Sequence, residues 1–404
     1  MRDFFGKVGH FFLTVFRKIG DFCHWLNGKR GWRSFLSAAI CVGIGLFCGF
    51  ILMLCIDPAN SLKGLWILLS QGFSNTDSFG RVIYQATPMM LSGVAIAFAF
   101  KLGLFNIGLT GQVTIGAFVG VMLGLSGCNW AVCMLVAMLS GAAIGLLTGY
   151  LKARFNVNEV LSGIMLNWII YYMIGIIGTL WIPSSYKDKI TPSQLFSLQG
   201  DARMPSLGIS SMPGISVGLI IAILIVVLIQ IVLNRTTFGF EMKLSGSNKF
   251  AAQYAGINQT SKIVLALTIS GAVAGICGFM LYANPTNPIE FKWDSGSDSL
   301  LADGFTGISV SLIAQNSPLG CIFSAILLTA IDASQTELKA LSNSYNIHYT
   351  ELIKSIIIYV ASFSSFFGML IQKQHARHED LRAKMSLSPR DEDAKKAGEE
   401  KASV

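Results

Sequence analysis

Along most of its length the chain alternates apolar runs of about 20 residues, long enough to cross a hydrocarbon core as helices, with short polar breaks. The runs occupy Phe35 to Ile56, Val82 to Phe100, Leu104 to Leu125, Trp130 to Leu151, Val160 to Ile182, Ile215 to Leu233, Ile263 to Ala283, Leu319 to Ala333 and Leu352 to Ile371. Backbone inside lipid must satisfy its own hydrogen bonds, so the pattern predicts an all-α, polytopic membrane helical bundle. One segment, Gly304 to Ala314, is short and ends at the break Gln315 to Pro318. If it crosses as a tilted or broken helix, the chain has about ten transmembrane helices and both ends lie on one side. If it is only re-entrant, there are nine and the tail lies outside. The basic start of the tail, at Lys373, Arg377, Arg382 and Lys384, favours ten.

The breaks carry the charge. Residues 1–33 hold seven basic residues, Arg2, Lys7, Arg17, Lys18, Lys29, Arg30 and Arg33, against Asp3 and Asp21, with phenylalanines at helical spacing from Phe4 to Phe22. This predicts a basic amphipathic N-terminal helix on the cytoplasmic face, followed by a membrane domain over 34–372. Residues 373–404 mix both signs with few apolar groups and read as a disordered cytoplasmic tail. Counting inward and outward runs makes 57–80 and 183–213 external loops and Arg235 to Lys262 cytoplasmic.

Composition closes other routes. With 52% hydrophobic and 13% charged residues, the chain has too little polar surface to coat a soluble core. The eight cysteines form no C-x-x-C pair and sit in or beside apolar runs, which argues against a structural metal or a disulfide framework. No phosphate-binding G-x-x-x-x-G-K-[ST] loop, H-E-x-x-H or G-x-S-x-G occurs, so neither ATP hydrolysis by this chain nor a membrane enzyme is expected. Carboxylates within the runs are almost absent, Asp332 being the nearest candidate; a proton- or sodium-coupled carrier is expected to show more.

Four polar constellations stand out. In the cytoplasmic break, Ser247 or Asn248 can cap a helix over Lys249, Phe250, Ala251, Ala252 and onward to Ala255, and Gly256 supplies the left-handed stop. That helix has about two turns and must lie against something, since so short a helix is unstable alone. Phe250, Tyr254 and Ile257 share one face, which either packs on the chain's own bundle or docks a cytosolic partner. Two stretches inside the runs are polar and punctuated by glycine: Gly103 to Gly120, with Asn106, Thr110, Gln112 and Thr114, and Gly304 to Gly320. Such segments in corresponding places of two halves point to discontinuous helices around a translocation path. The fourth, Asn156 to Asn167, is read as a cap, with Asn158 before the dipole-stabilised Glu159. By contrast, Gly141, Gly145, Gly149, Gly271 and Gly275 look built for close helix packing.

The motifs FNIGLTGQVTIGA at 105–117, NEVLSGIMLNWI at 158–169, TTFGFEMKLSGSNKFAAQYAGIN at 236–258, SGAVAGICG at 270–278 and DGFTGISVSLIAQNSPLG at 303–320 carry a family resemblance. Together they resemble the permease subunits of bacterial ABC importers for simple sugars and nucleosides, over roughly 80–372, with a lean toward the nucleoside branch. The resemblance implies a multi-pass protein of the bacterial cytoplasmic membrane with both termini inside. Its implied partners are a cytosolic ABC ATPase that binds the ATP and magnesium, a second permease subunit and an external substrate-binding lipoprotein, with no cofactor on this chain. It implies that Ser247 to Ile257 is the coupling helix seated in the ATPase. It also implies that Asn106, Gly108, Gly111, Gln112, Asp303, Phe305, Gly307 and Asn316 line or shape the passage. Where the family usually has Arg-Ala-Val-Gly before the coupling helix, this chain has Lys243, Leu244, Ser245 and Gly246. A simple-sugar permease differs only in cargo, and an ion-coupled carrier or channel is the alternative of another class.

Overall fold

In a computed structural model of the chain, residues 30–181, 195–196, 198, 200–208, 215–283, 291–292, 303–342, 345 and 348–363 are described. The expected basic N-terminal helix, charged tail and most of the second external loop lie outside these residues. The chain divides into two compact units, residues 1–43 with 360–404, and residues 44–359. Fourteen helices are described: α1 (Arg30–Ile56), α2 (Ser61–Ser70), α3 (Thr76–Phe100), α4 (Leu109–Leu125), α5 (Trp130–Phe155), α6 (Glu159–Trp181), α7 (Val217–Arg235), α8 (Thr237–Ser247), α9 (Lys249–Tyr254), α10 (Gln259–Tyr282), α11 (Asp303–Ile313), α12 (Pro318–Ala333), α13 (Gln335–Leu341) and α14 (His348–Ser362). A two-residue antiparallel pair joins β1 (Leu195–Phe196) to β2 (Phe291–Lys292). Among the described residues, seven helical stretches are long and apolar enough to cross a membrane, one of them α12 together with α13, and α4 and α11 are shorter apolar helices.

The centre of the bundle is set by burial. Of their most apolar windows, α3 buries 83% and α10 67%, against 28% in α5 and in α7, most of whose leucines and isoleucines face outward as lipid-facing side chains do. α3 and α10 run antiparallel, as three polar contacts at successive depths show. Tyr84 Oη donates to the Leu281 carbonyl at 3.1 Å, Cys277 Sγ to that of Pro88 at 3.1 Å and Ser270 Oγ to that of Ala95 at 2.8 Å. α10 also meets α5 backbone to backbone. A Cβ on Gly141 would stand 2.8 Å from the Gly275 Cα, and one on Gly149 2.9 Å from the Val264 Cα. These glycines pack as their spacing predicts. With no water to expel between helices in lipid, close backbone approach and its dispersion contacts supply the attraction.

The short segment crosses α3 rather than running along it. Gly307 meets Ser92, and Val310, three residues further on, meets Gly93, only one residue further on α3. At about 1.5 Å per residue its 11 residues span about 16 Å, half the hydrocarbon core. α12 then runs from Cys321, near Gly93, to Ala330, beside Gly72 just before α3 begins. α10 ends at that same end of α3. α11 therefore sits midway along α3, and α12 returns from it to the end of α3 where α10 finishes.

One expectation needs correcting: residues 57–80 are not a loop. α2, a 3₁₀ turn at Gln71–Phe73 and the first turns of α3 fill them. α2 buries Gly64 and Leu68 and turns Leu62 and Trp66 outward, a pattern suited to the lipid boundary rather than to water. Its position is fixed at Asp57, whose carboxylate accepts from Asn60 Nδ2 at 2.9 Å and Ser342 Oγ at 2.8 Å. These bonds hold the Asp57 carboxyl below its usual range. Because the folded value is depressed, the stabilisation is complete above the unfolded value of about 4 and is lost as pH falls through the folded one. Melting of the purified protein between about pH 6 and 3 is expected to fall more steeply for the native chain than for Asp57→Asn, and parallel curves would refute the role of these bonds.

Candidate functional site

Two polar centres emerge. The first is the break between α3 and α4. Gly103 takes a left-handed φ of 77°, and the chain stays unwound to Gly108. Asn106 reaches into the bundle, where its Nδ2 donates to Gln112 Oε1 and to Ser270 Oγ, both at 2.9 Å. Asn167, in the middle of α6, clamps the other side: its Oδ1 accepts from the Gly111 N–H at 2.8 Å and its Nδ2 donates to the Ile107 carbonyl at 3.1 Å. It thereby occupies one of the amide groups that the start of α4 leaves without an intrahelical partner. Gly111 has to be glycine there, since a Cβ would stand 2.6 Å from Asn167 Oδ1. Gly108 rests on Gly163 of α6 with 3.2 Å left for a Cβ. Asn106 Oδ1, Thr110 Oγ1 and Gln112 Nε2 are buried without a hydrogen-bond partner among the described residues.

The second glycine-rich stretch touches the first. A Cβ on Gly304 would stand 2.7 Å from Thr110 Oγ1, and one on Gly307 2.8 Å from Ser92 Oγ. Asp303 is the first residue of α11. Phe305 is half exposed, and Gln315 and Asn316 take left-handed φ of 51° and 55° to turn the chain into α12. Ser311 holds that turn, its Oγ donating to Asn316 Oδ1 at 2.8 Å. Of the passage residues expected from the sequence, Asn106, Gly108, Gly111, Gln112 and Gly307 thus form a buried hub that holds two interrupted helices together. Phe305 stands on the hub's exposed side. Sequence reasoning missed Asn167, taken as part of a capping stretch, and Ser270; a lone Asn in an apolar helix was the available signal.

The second centre lies at the far end of α3, where Gly246 packs so closely that a Cβ would stand 2.9 Å from the Leu102 carbonyl carbon. The break between α7 and α10 holds two helices where one was expected. Thr236 caps α8, its Oγ1 accepting from the Gly239 N–H at 3.2 Å, and Asn248 caps α9, its Oδ1 accepting from Ala251 N–H at 3.1 Å. Ser247 closes α8 instead of capping α9. Gly256 stops the turn after α9 with φ of 75°. The four residues that depart from the family pattern form the end of α8: Lys243 Nζ donates to Asn234 Oδ1 at 2.7 Å, and Ser245 is buried. Glu241 pairs with Lys262, whose ammonium sits 4.7 Å above the Phe238 ring. Burial, with the like charge of Lys243, holds the Lys101 ammonium below its usual pKa.

In α9, Ala252 is buried, while Phe250 is 76% and Tyr254 94% exposed. The short helix therefore lies on the bundle through its small residue and turns its aromatic face away. Asn158 caps α6 as expected, its Oδ1 accepting from the Val160 N–H at 2.9 Å, and Glu159 pairs with Lys152 at 2.8 Å.

The family described as Branched-chain amino acid transport system / permease component matches residues 78–362. The guanosine ABC transporter permease protein NupP of Bacillus subtilis (strain 168) is 31% identical over 333 residues, 81% of this chain and 93% of that protein. The nucleoside ABC transporter permease protein NupB of Lactococcus lactis subsp. cremoris (strain MG1363) is 30% identical over 320 residues, 76% of this chain and 84% of that protein. A second Bacillus subtilis guanosine permease protein, NupQ, is 25% identical over 252 residues, 60% of this chain and 77% of that protein. No solved structure matches. The matched span runs from the first turn of α3 through both polar centres to the end of α14, so the chain is a multi-pass membrane protein that belongs to this transport permease family.

Proposed function

We propose that this chain is the transmembrane subunit of an ATP-driven importer of purine nucleosides. The observation that carries the mechanism is α9, whose unpartnered aromatic face stands at the α3 end opposite the one where α10 and α12 finish. An ATPase seated there could tilt α8 and α9 and, through Gly246 against Leu102, the unwound segment that follows α3. The cargo rests on NupP and NupB, whose names specify guanosine and nucleoside transport. The similarity of both NupP and NupQ to this chain supports a paralogous second permease as partner. An external binding lipoprotein would deliver the solute to a passage between the two permeases. ATP and magnesium would sit on the ATPase, and the basic break at Arg235 to Lys262 would face the cytoplasm, with both termini.

Labelled guanosine and ribose uptake in cells with and without the chain, under ATP depletion and under ionophore, tests this reading. Guanosine uptake is expected to be lost on deletion and on ATP depletion. Ribose uptake in its place would reassign the cargo, and uptake that survives ATP depletion but collapses with ionophore would overturn the mechanism.

A further inference from the structure

α3, α11, α12 and α14 border a half-open pocket of about 190 Å³ whose walls include Met89, Ser309, Leu328, Asp332, Glu351 and Lys354. It starts near the outer end of α12, where Asp332 follows Ala330, and reaches inward to Met89, one turn short of the Ser92 on which α11 rests. Its inner wall is therefore the polar crossing helix of the hub.

Asp332 and Lys354 form an ion pair across this space. Charges within apolar helices are costly and mark functional sites. A pair serving only to join α12 to α14 would be expected to close over. Here the side chains stay 27% and 21% exposed, and Glu351, 58% exposed, stands beside them with its Oε2 3.2 Å from His348 Nδ1. The lining is thus divided. Two carboxylates can only accept hydrogen bonds, an ammonium and the Ser309 hydroxyl can donate, and Met89 and Leu328 offer an apolar wall.

We infer that this pocket is a solute-recognition subsite of the importer. Resting on the nucleoside reading, its chemistry assigns the two halves of the solute. Vicinal hydroxyls donate to Asp332 and Glu351. Ring nitrogen or carbonyl acceptors take Lys354 and Ser309, and the flat heterocycle covers Met89 and Leu328. While the His348 imidazole beside Glu351 is uncharged, two carboxylates against one ammonium leave a net negative charge that disfavours a phosphate. The subsite therefore selects nucleosides over nucleotides by repulsion, and over simple sugars by the apolar wall that a sugar leaves bare.

Guanosine uptake by the complete importer, with the binding lipoprotein unchanged, tests this in Glu351→Gln, Ser309→Ala and Asp332→Asn at matched membrane abundance. The KM for Glu351→Gln is expected to rise about tenfold, and guanosine monophosphate, inert toward the native importer, is expected to begin to compete. D332K combined with K354D keeps the ion pair. If the pair is merely structural, that double variant recovers native uptake, which overturns the inference; a recognition role leaves its KM raised at normal abundance. Should Asp332→Asn fail to reach the membrane, Glu351→Gln and Ser309→Ala decide alone. Native KM in both, in an importer that does carry guanosine, overturns the subsite and leaves the functional reading standing. An absence of guanosine uptake by the native importer removes both.

Discussion

Replacing Phe250 and Tyr254 together by aspartate is expected to abolish co-purification of the partner ATPase while leaving the permease folded in detergent. Both rings stand almost free of the chain, so the substitutions remove nothing that the bundle needs. Burying one large apolar side chain contributes about 1.5–3 kcal/mol, so losing two from an interface weakens it at least about a hundredfold. Introduced carboxylates add a desolvation penalty in any groove that held the rings. The elution profile of the permease and retention of ATPase on an affinity tag give the two readings. Undiminished retention would show that the aromatic face docks nothing, and the energetic reading would fall with it.

Gly275→Val is expected to prevent recovery of a folded bundle. A Cβ at this position would stand 2.9 Å from the Ala137 carbonyl carbon and 3.2 Å from the Met138 Cα, while the Gly275 Cα itself lies 2.5 Å from where a Cβ on Gly116 would be. Both neighbours are backbone, so the strain can be relieved only by moving α5 or α4 as a whole. Overpacking of this kind costs about 1–3 kcal/mol or more, and here two helix contacts are lost at once. Gly175→Ala is the control, because nothing lies within 4 Å of a Cβ there and alanine favours a helix. Melting followed by size-exclusion chromatography should show the control at the native temperature and Gly275→Val aggregated or lower by several degrees. Native-like melting of Gly275→Val would refute close packing as the source of the bundle's stability.

The two centres were legible to different degrees. Asn248, Gly256 and Asn158 were visible because caps and left-handed stops depend on residues two or three positions apart. α8 was not, since its glycines and serines lower helix propensity and it is held by Gly246 on Leu102, just beyond α3, and by Glu241 on Lys262. α2 was hidden because an outward Leu62 and Trp66 read as loop residues to a rule built for water. The partnership of Asn106 with Ser270, 164 residues away in sequence, leaves no local trace at all.

The sequence by itself determined that the chain is a membrane bundle, roughly where most of its apolar helices lie and which glycines pack. Those properties follow from transfer energies and short-range geometry, which are summed over neighbouring residues. Tertiary structure alone decided that α11 crosses α3, that the two glycine-rich stretches touch at Thr110, and that Asp332 meets Lys354 above them. Each of these needs the direction of one helix relative to another, and in lipid that direction is set by which backbones can approach closely. A hydropathy pattern carries no record of that choice.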